Sequence, residues 1–298
     1  MTDRWIAIDW GTSALRVWRM AGTRLEAHRH SDAGMGRLHP GQFEGALLDL
    51  VADWVTEGPL RAVACGMVGA RQGWQEATYR ALPCAPIGAP LLTLHPADRR
   101  LTVHVVPGLC QPAPADVMRG EETQIAGLLV QEPGFDGIVG LPGTHMKWAR
   151  VAAGVVRQFQ TCMTGELFDL LAGQSVLRHS VGPGWDETAF AAALAEMRAA
   201  PERLIPALFG LRAEGLLHAQ SPDAARARLS GLLIGAELAA TRALWEGQDI
   251  VLIGSTGLAA RYQTALAAFG QTARLLEAET ATLAGLAEAR RLIGGENA

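Results

Sequence analysis

Apolar and polar positions along this chain follow a pattern that opens twice. Residues 4–9 (RWIAID) are almost continuously apolar and predict a buried strand. Residues 10–13 (WGTS) read as a turn, 14–20 (ALRVWRM) alternate as a second strand, and 23–30 follow as a third. A helix is expected over 42–55, with Phe43, Leu47, Leu50, Val51 and Trp54 on one stripe. Short buried strands are expected at 61–66 and 101–106, and a helix over 115–131 that Pro133 and Gly134 close. The pattern then restarts with a strand at 137–141, a Pro142-Gly143-Thr144 turn, and strands at 145–151 and 154–160. Helices are expected from 165 to about 177, and over 185–197, 201–217 and 223–245. A buried strand at 250–253 runs through Gly254, Ser255, Thr256 and Gly257 into the next helix. A strand near 274–276 and a helix over 280–292 close the chain.

The restart carries the domain reading. IAIDWGTSALRVW and IVGLPGTHMKWAR both read strand, Gly-Thr turn, strand, with Gly11-Thr12 matching Gly143-Thr144. Each opening continues into helices, so two related halves are expected rather than a solenoid of short repeats. The boundary is placed at the Pro133-Gly134 break. It gives a first domain at 1–132 and a second at 133–298, the second with a helical insertion at about 165–222.

Composition narrows the function classes. The 298 residues are 49% hydrophobic and 19% charged, enough for two packed domains and against disorder. A net charge of -4 gives no general attraction to nucleic acid or an anionic membrane. The start, MTDRW, has no basic-then-apolar leader, and no apolar run reaches the roughly 18 residues of a membrane span. Cys65, Cys84, Cys110 and Cys162 form no CxxC, so free thiols in a reducing cytoplasm are expected. Lys147 is the sole lysine among 26 basic residues. It precedes Trp148, which excludes a Walker A loop, and a Schiff-base enzyme would have to use this one amine.

Three turns suit phosphate. Gly-containing turns between strands leave backbone N–H groups pointing outward, and such nests bind anions. Gly11, Thr12 and Ser13 form the first such turn; Gly143 and Thr144 form the second. Either alone is equally an ordinary hairpin. The third, Gly254 to Gly257, opens a helix whose N-terminus can take a phosphate or let a ring approach, or is a plain βα turn. Asp9, at the end of the first strand, offers hard oxygen ligands for Mg²⁺. His145 and Lys147 share one strand face. His145 is a phosphate donor or a core histidine. Lys147 is a compact charge toward phosphate or a strand lysine reaching solvent.

An acid pair lies in VMRGEETQ, residues 117–124. Adjacent carboxylates on a helix point apart, so one of Glu121 and Glu122 faces a given site. A carboxylate there can accept the proton of an alcohol during phosphoryl transfer, or can simply complement the helix dipole. Gly120 permits close approach of a ligand, and Arg119 suits an anionic group. The loop GMVGARQGW, residues 66–74, follows a buried strand, where α/β proteins place ligands. Its candidates are Gly66, Met67, Gly69, Arg71 and Trp74. In TCMTGEL, residues 161–167, Thr164 caps a helix or contacts ligand.

Taken together, DWGT, GMVGxxxGW, VMRGEETQ, PGTHxKW, TxMTGEL, SGLLIGAE and the Arg261-Tyr262-Gln263 that follows the third loop resemble the 2-dehydro-3-deoxygalactonokinase family over nearly the whole chain. That family is similar to the sugar kinase/hsp70/actin superfamily. The resemblance implies an α/β fold of two ribonuclease-H-like (actin-like ATPase) domains with ATP and Mg²⁺ in the cleft between them. It implies phosphorylation of the 6-hydroxyl of 2-dehydro-3-deoxy-D-galactonate in galactonate breakdown. By motif, Asp9, Gly11, Thr12 and Ser13 form the first phosphate loop and Gly143, Thr144 and His145 the second. Gly254, Ser255, Thr256 and Gly257 then lie near the nucleoside.

By analogy with exopolyphosphatases of the same superfamily, Glu122 is favoured as base and Glu121 stands second. Arg16, Arg71 and Arg119 are the candidates for the acceptor's carboxylate. A gluconate-derived epimer as acceptor, a phosphohydrolase and a non-catalytic regulator are the competing readings. The expected partner is a small sugar acid, not nucleic acid or membrane, and a homodimer is left open.

Overall fold

The computed structural model describes residues 3–295. In chain order, the first part contains β1 (Arg4–Trp10), β2 (Leu15–Ala21), β3 (Arg24–Ser31), α1 (Phe43–Val51), β4 (Leu60–Gly66), β5 (Arg80–Ala81), β6 (Leu92–Leu94), β7 (Leu101–Val105), β8 (Leu109–Gln111), β9 (Asp116–Met118) and α2 (Glu121–Gln131). Next come β10 (Gly137–Leu141), β11 (Met146–Ala152), β12 (Val155–Cys162), α3 (Thr164–Gln174), α4 (Glu187–Ala199), α5 (Leu204–Leu217) and α6 (Pro222–Trp245). The chain ends with β13 (Ile250–Gly254), α7 (Thr256–Ala268), β14 (Arg274–Glu277) and α8 (Ala278–Gly295). No helix among the described residues is long and apolar enough to cross a membrane.

The chain divides into two compact units. The first is Met1–Asp136 with Val151–Phe159 and Ala278–Ala298; the second is Gly137–Arg150 with Gln160–Glu277. The last helix thus belongs to the first unit, which a break read along the sequence does not show. Its reason is packing at small residues. Gly127 of α2 lies against the Ala281 backbone, and Gly285 of α8 against the Thr123 backbone, with no room for a Cβ at either.

The first unit is built on a sheet of order β3-β2-β1-β4-β7-β6. β1 is buried on both faces after Arg4, as its continuous apolar run requires. It pairs antiparallel with β2 and parallel with β4. One face packs Ile6, Ile8, Trp10 and Val17 against Phe43, Leu47 and Val51 of α1. The other packs Trp5, Ala7, Trp18 and Val63 against Leu286 and Ala289 of α8. The α1 stripe is as the periodicity predicts, although the helix stops at Val51 and a 3-10 turn, Trp54–Glu57, follows.

The expected helix over 115–131 is half wrong. Asp116–Met118 is a strand paired antiparallel with β8, and the helix begins only at Glu121. Gly120, at φ +107°, stands between them in a backbone state that L side chains rarely adopt and a helix cannot pass through.

A second sheet repeats the plan. It has the order β12-β11-β10-β13-β14, with β13 parallel to both β10 and β14. Three strands adjacent in sequence order, the first of them paired parallel with a later strand, therefore occur in both sheets, matching the two Gly-Thr openings. The helix α6 carries the core. Its Gly231 and Gly235 leave no side chain where Ala193 and Met197 of α4 come close, and the two helices pack tightly there.

Candidate active site

In the first unit, β1 delivers Asp9 to the end of the sheet, 9% exposed and in register with Arg16 on β2 and Cys65 on β4. Arg16 Nη2 lies 2.5 Å from Asp9 Oδ2. Burial pushes the Asp9 carboxyl up, and the Arg16 charge and hydrogen bond work in the opposite direction. The turn beyond it is closed by the Gly11 N–H donating to the Ala14 carbonyl at 2.9 Å. Thr12 and Ser13 are exposed on its crest. Gly34 packs directly behind Ser13, where a Cβ would collide with backbone.

The loop after β4 reaches the same place. Gly66 has φ +87°, and a Cβ there would lie 2.6 Å from the Trp10 carbonyl and 3.5 Å from Asp9 Oδ1. A Cβ on Gly120 would lie 3.4 Å from the Gly66 Cα, and one on Gly69 would lie 2.8 Å from Arg119 Nη1. The two loops therefore touch at glycines, and Asp9, Arg16, Gly66, Gly69, Arg119, Gly120 and Glu122 form one cluster. Arg71 is exposed farther along the loop. Trp74 turns the other way, into an aromatic group with Trp10 and Phe43 at centroid distances of 6.2 and 6.4 Å. Met67 is half-buried in the 3-10 turn Met67–Gly69.

Both glutamates bend back over the start of α2. Glu121 Oε2 accepts from the Arg119 N–H at 2.9 Å. Glu122 Oε2 accepts from the Gly120 N–H at 2.7 Å and its Oε1 from the Thr123 hydroxyl at 3.0 Å. Glu122 is wholly buried. Burial, then the Glu121 charge, push its carboxyl up to about 8. The Cys65 thiol is likewise held well up by burial and then by the charges of Asp9 and Glu122.

In the second unit, the Gly143-Thr144 turn is seated on the start of α3. The Glu166 N–H donates to the Thr144 carbonyl at 2.9 Å, and Gly165 packs on the Gly143 carbonyl. His145 is exposed, its Nε2 2.7 Å from Glu166 Oε2. Gly254 packs on Pro142, where a Cβ would lie 2.9 Å from the proline ring, so the second and third turns are also in contact. Ser255, Thr256 and Gly257 are exposed at the N-terminus of α7.

A cavity of about 320 Å³ opens beside these turns. Gly143, Thr144, Thr164, Gly165, Arg226 and Arg261 are among its lining residues. Thr164, expected with the acceptor residues, thus stands with the phosphate-turn residues. Arg226 lies over Phe168 at 5.1 Å and Arg261 over Trp185 at 4.0 Å. Lys147 lies outside the lining, 5% exposed, with Nζ 2.8 Å from the Thr161 hydroxyl.

The family model described as 2-keto-3-deoxy-galactonokinase matches residues 9–289. The chain belongs to the 2-keto-3-deoxy-galactonokinase family. It is 36% identical over 292 residues to a 2-dehydro-3-deoxygalactonokinase of Escherichia coli (strain K12), covering 96% of this chain and 97% of that one. It is similar, at TM-score 0.91 and 38% identity, to a solved structure from Sinorhizobium meliloti assigned to the 2-dehydro-3-deoxygalactonokinases. That match covers 97% of this chain and 99% of the other. A likeness at TM-score 0.54 and 10% identity, over 99% and 97% of the two chains, to the Clostridium difficile activator of 2-hydroxyisocaproyl-CoA dehydratase shows the fold alone. The fold is mixed α/β, as the resemblance implies, and is shared with that activator.

Three residues here are not among the candidate site residues, although Arg261 and Glu237 lie in segments that carry the resemblance. Arg226 and Arg261 are 35 positions apart, and only the fold puts both on one cavity. Burial and then the charge of Arg226 pull the Arg261 pKa down. Glu237 is the third. It closes the SGLLIGAE segment, buried, and accepts from Trp148 Nε1 and the Tyr262 hydroxyl, each at 2.9 Å, and from the Thr164 hydroxyl. Burial pushes its carboxyl up to about 7. The one signal in the sequence was an acid inside an otherwise apolar helical run.

Proposed function

We propose that this chain transfers the γ-phosphoryl group of ATP to the 6-hydroxyl of 2-dehydro-3-deoxygalactonate, giving the 6-phosphate and ADP. The observation that carries the reading is the acid cluster of the first unit. A chain whose family is a sugar-acid kinase buries Asp9 and Glu122, both near enough to Cys65 for their charges to raise its thiol, where two glycine loops meet.

Glu122 is the general base. A carboxyl held at about 8 is poised near working pH, where it accepts a proton without being a permanently weak acceptor. As O6 bonds to the γ-phosphorus and the bond to the β–γ bridging oxygen breaks, the hydroxyl proton passes to the Glu122 carboxylate. Glu121, half-buried and on the same turn, is the second candidate.

Asp9 fits a divalent cation. Mg²⁺ commonly takes one or two carboxylates and completes its shell with water and phosphate oxygens. Among the described residues no cluster of three or more metal-ligating side chains exists, so the site suits a nucleotide-borne cation rather than an all-protein cage. Mg²⁺ bound there would neutralise charge on the phosphates. By motif, Thr12 and Ser13, and Gly143, Thr144 and His145, are the candidate donors for phosphate oxygens. The cavity beside Gly254 to Gly257 takes the nucleoside. Soluble cytoplasmic residence suits this substrate.

The test is a coupled ADP assay with a panel of 3-deoxy-2-oxo acids that includes the galactonate- and gluconate-derived epimers side by side. Acceptor-dependent ADP release, faster with the galactonate-derived acid, is expected. Phosphate release from ATP with no acceptor effect would replace the kinase with a phosphohydrolase.

A further inference from the structure

Arg119 presents an unbalanced charge. The residue is 9% exposed. Nη2 donates to the Ala77 carbonyl at 2.7 Å, and the guanidinium lies 4.3 Å from the Tyr79 ring centre. Nε and Nη1 are out of water and have no hydrogen-bond partner. No carboxylate among the described residues forms an ion pair with it; Glu121 takes its backbone N–H instead. A buried cation is normally matched by an anion, because removing it from water without a partner is strongly unfavourable. Here the protein supplies a carbonyl and a ring face, and two donor nitrogens are left over.

The surroundings are shaped around those nitrogens. Gly69 stands where any side chain would press on Nη1, at 2.8 Å for a Cβ. Gly120, the next residue, touches Gly66 and leads directly to Glu122. The unpaired donors thus belong to the cluster that holds the proposed base. Of the two other arginines near it, Arg16 is already paired with Asp9, and Arg71 is exposed to solvent on the loop.

We propose that the Arg119 guanidinium is the receptor for the carboxylate of the sugar-acid acceptor, reading the charged end of the molecule while Glu122 serves the hydroxyl end. The inference rests on the acceptor being a sugar acid. Guanidinium and carboxylate are matched in geometry as well as charge. Because Nε and Nη1 have no accessible surface, the acid engages them as the Gly66–Trp74 loop shifts off the guanidinium. The protein then distinguishes an acid from a neutral sugar of the same shape.

The experiment compares the 2-oxo acid with its uncharged C1 amide. Wild type is expected to prefer the acid in kcat/KM by roughly 30-fold or more, the scale of a buried charged pair. Arg119→Gln should bring that ratio close to one through KM for the acid, with KM for ATP within about threefold of wild type. Gly69→Ala, which presses on Nη1 but keeps the charge, should raise KM for the acid in the same direction. An unchanged acid-to-amide ratio in Arg119→Gln overturns the assignment.

If both variants fail to fold, a crystal structure of wild type with the acid decides. A carboxylate oxygen within hydrogen-bond distance of Arg119 Nε or Nη1 supports it; a carboxylate on Arg16 or Arg71 overturns it. Failure of wild type to release ADP with any acid is a separate result. It sinks the kinase reading, while the crystal soak still reports on Arg119.

Discussion

Asp9 and Arg16 face each other across the β1–β2 register, and their side chains meet at 2.5 Å. The carboxylate is buried and the guanidinium side chain is 47% exposed, so solvent screens the pair and its net stabilisation is small. Asp9→Asn should therefore remain folded, with a melting temperature within a few degrees of wild type. Its activity should fall about 100-fold or more, together with a weakened response to Mg²⁺. A normal metal titration in that variant would take Asp9 out of the metal's reach.

Glu122 couples catalysis to stability. The unfolded chain releases this proton near the ordinary value of 4.5, and the folded chain holds it up to about 8. Rising pH between those values favours the unfolded state, and stability lost there is not regained above 8. Each pKa unit is about 1.4 kcal/mol, so the contribution reaches several kcal/mol at most. Glu122→Gln, which never ionises, should flatten the stability profile between about pH 5 and 8 and raise the melting temperature at pH 8. Its kcat should drop about 100-fold or more with KM for ATP little changed. Thermal melts across that range check the first part; unchanged turnover would pass the role to Glu121.

Much of this was legible in the alternation of residues, and some was not. The Gly11-Thr12 and Gly143-Thr144 openings predicted two related halves, and the two sheets share a strand order. The helix over 115–131 was misread because MRGEE has helical composition, whereas the positive φ of Gly120 is a backbone property no side-chain pattern reports. The short strands β5, β6 and β8 have two or three residues each, too few for a period to show. The return of α8 to the first unit depends on Gly127 of α2 and Gly285 of α8, which are far apart in sequence. The Arg226–Arg261 cavity and the partners of Glu237 are long-range as well. What the sequence marks is where chemistry is placed; which groups share a cavity is settled by packing.

Gly165 locks the second phosphate turn to α3, and a Cβ there would meet the Gly143 and Thr144 backbone. Backbone cannot yield as a flexible side chain can. Gly165→Ala should raise KM for ATP about tenfold while KM for the sugar acid stays within about threefold, since the acceptor cluster lies in the other unit. Glu237→Gln should act on the same turn more mildly. It replaces one of two accepting oxygens by a donor, so Trp148 or the Thr164–Tyr262 pair loses its acceptor. Initial-rate kinetics with each substrate varied in turn separate these effects. Equal rises in both KM values would mean general loosening instead.

Lys147 is the one lysine of the chain, and its amine is buried against the Thr161 hydroxyl. A guanidinium is larger and planar, and forcing it into a packed strand position costs about 1–3 kcal/mol. Lys147→Arg should accordingly lower the melting temperature by several degrees and change KM for ATP by less than about threefold. A second measurement needs no variant. Acylation of the folded protein with an amine-reactive ester, followed by peptide mass spectrometry, should label the N-terminal amine and leave Lys147 unmodified until the chain is unfolded. Rapid labelling of Lys147 in the folded protein, slowed by ATP, would place its amine at the phosphates rather than in the sheet.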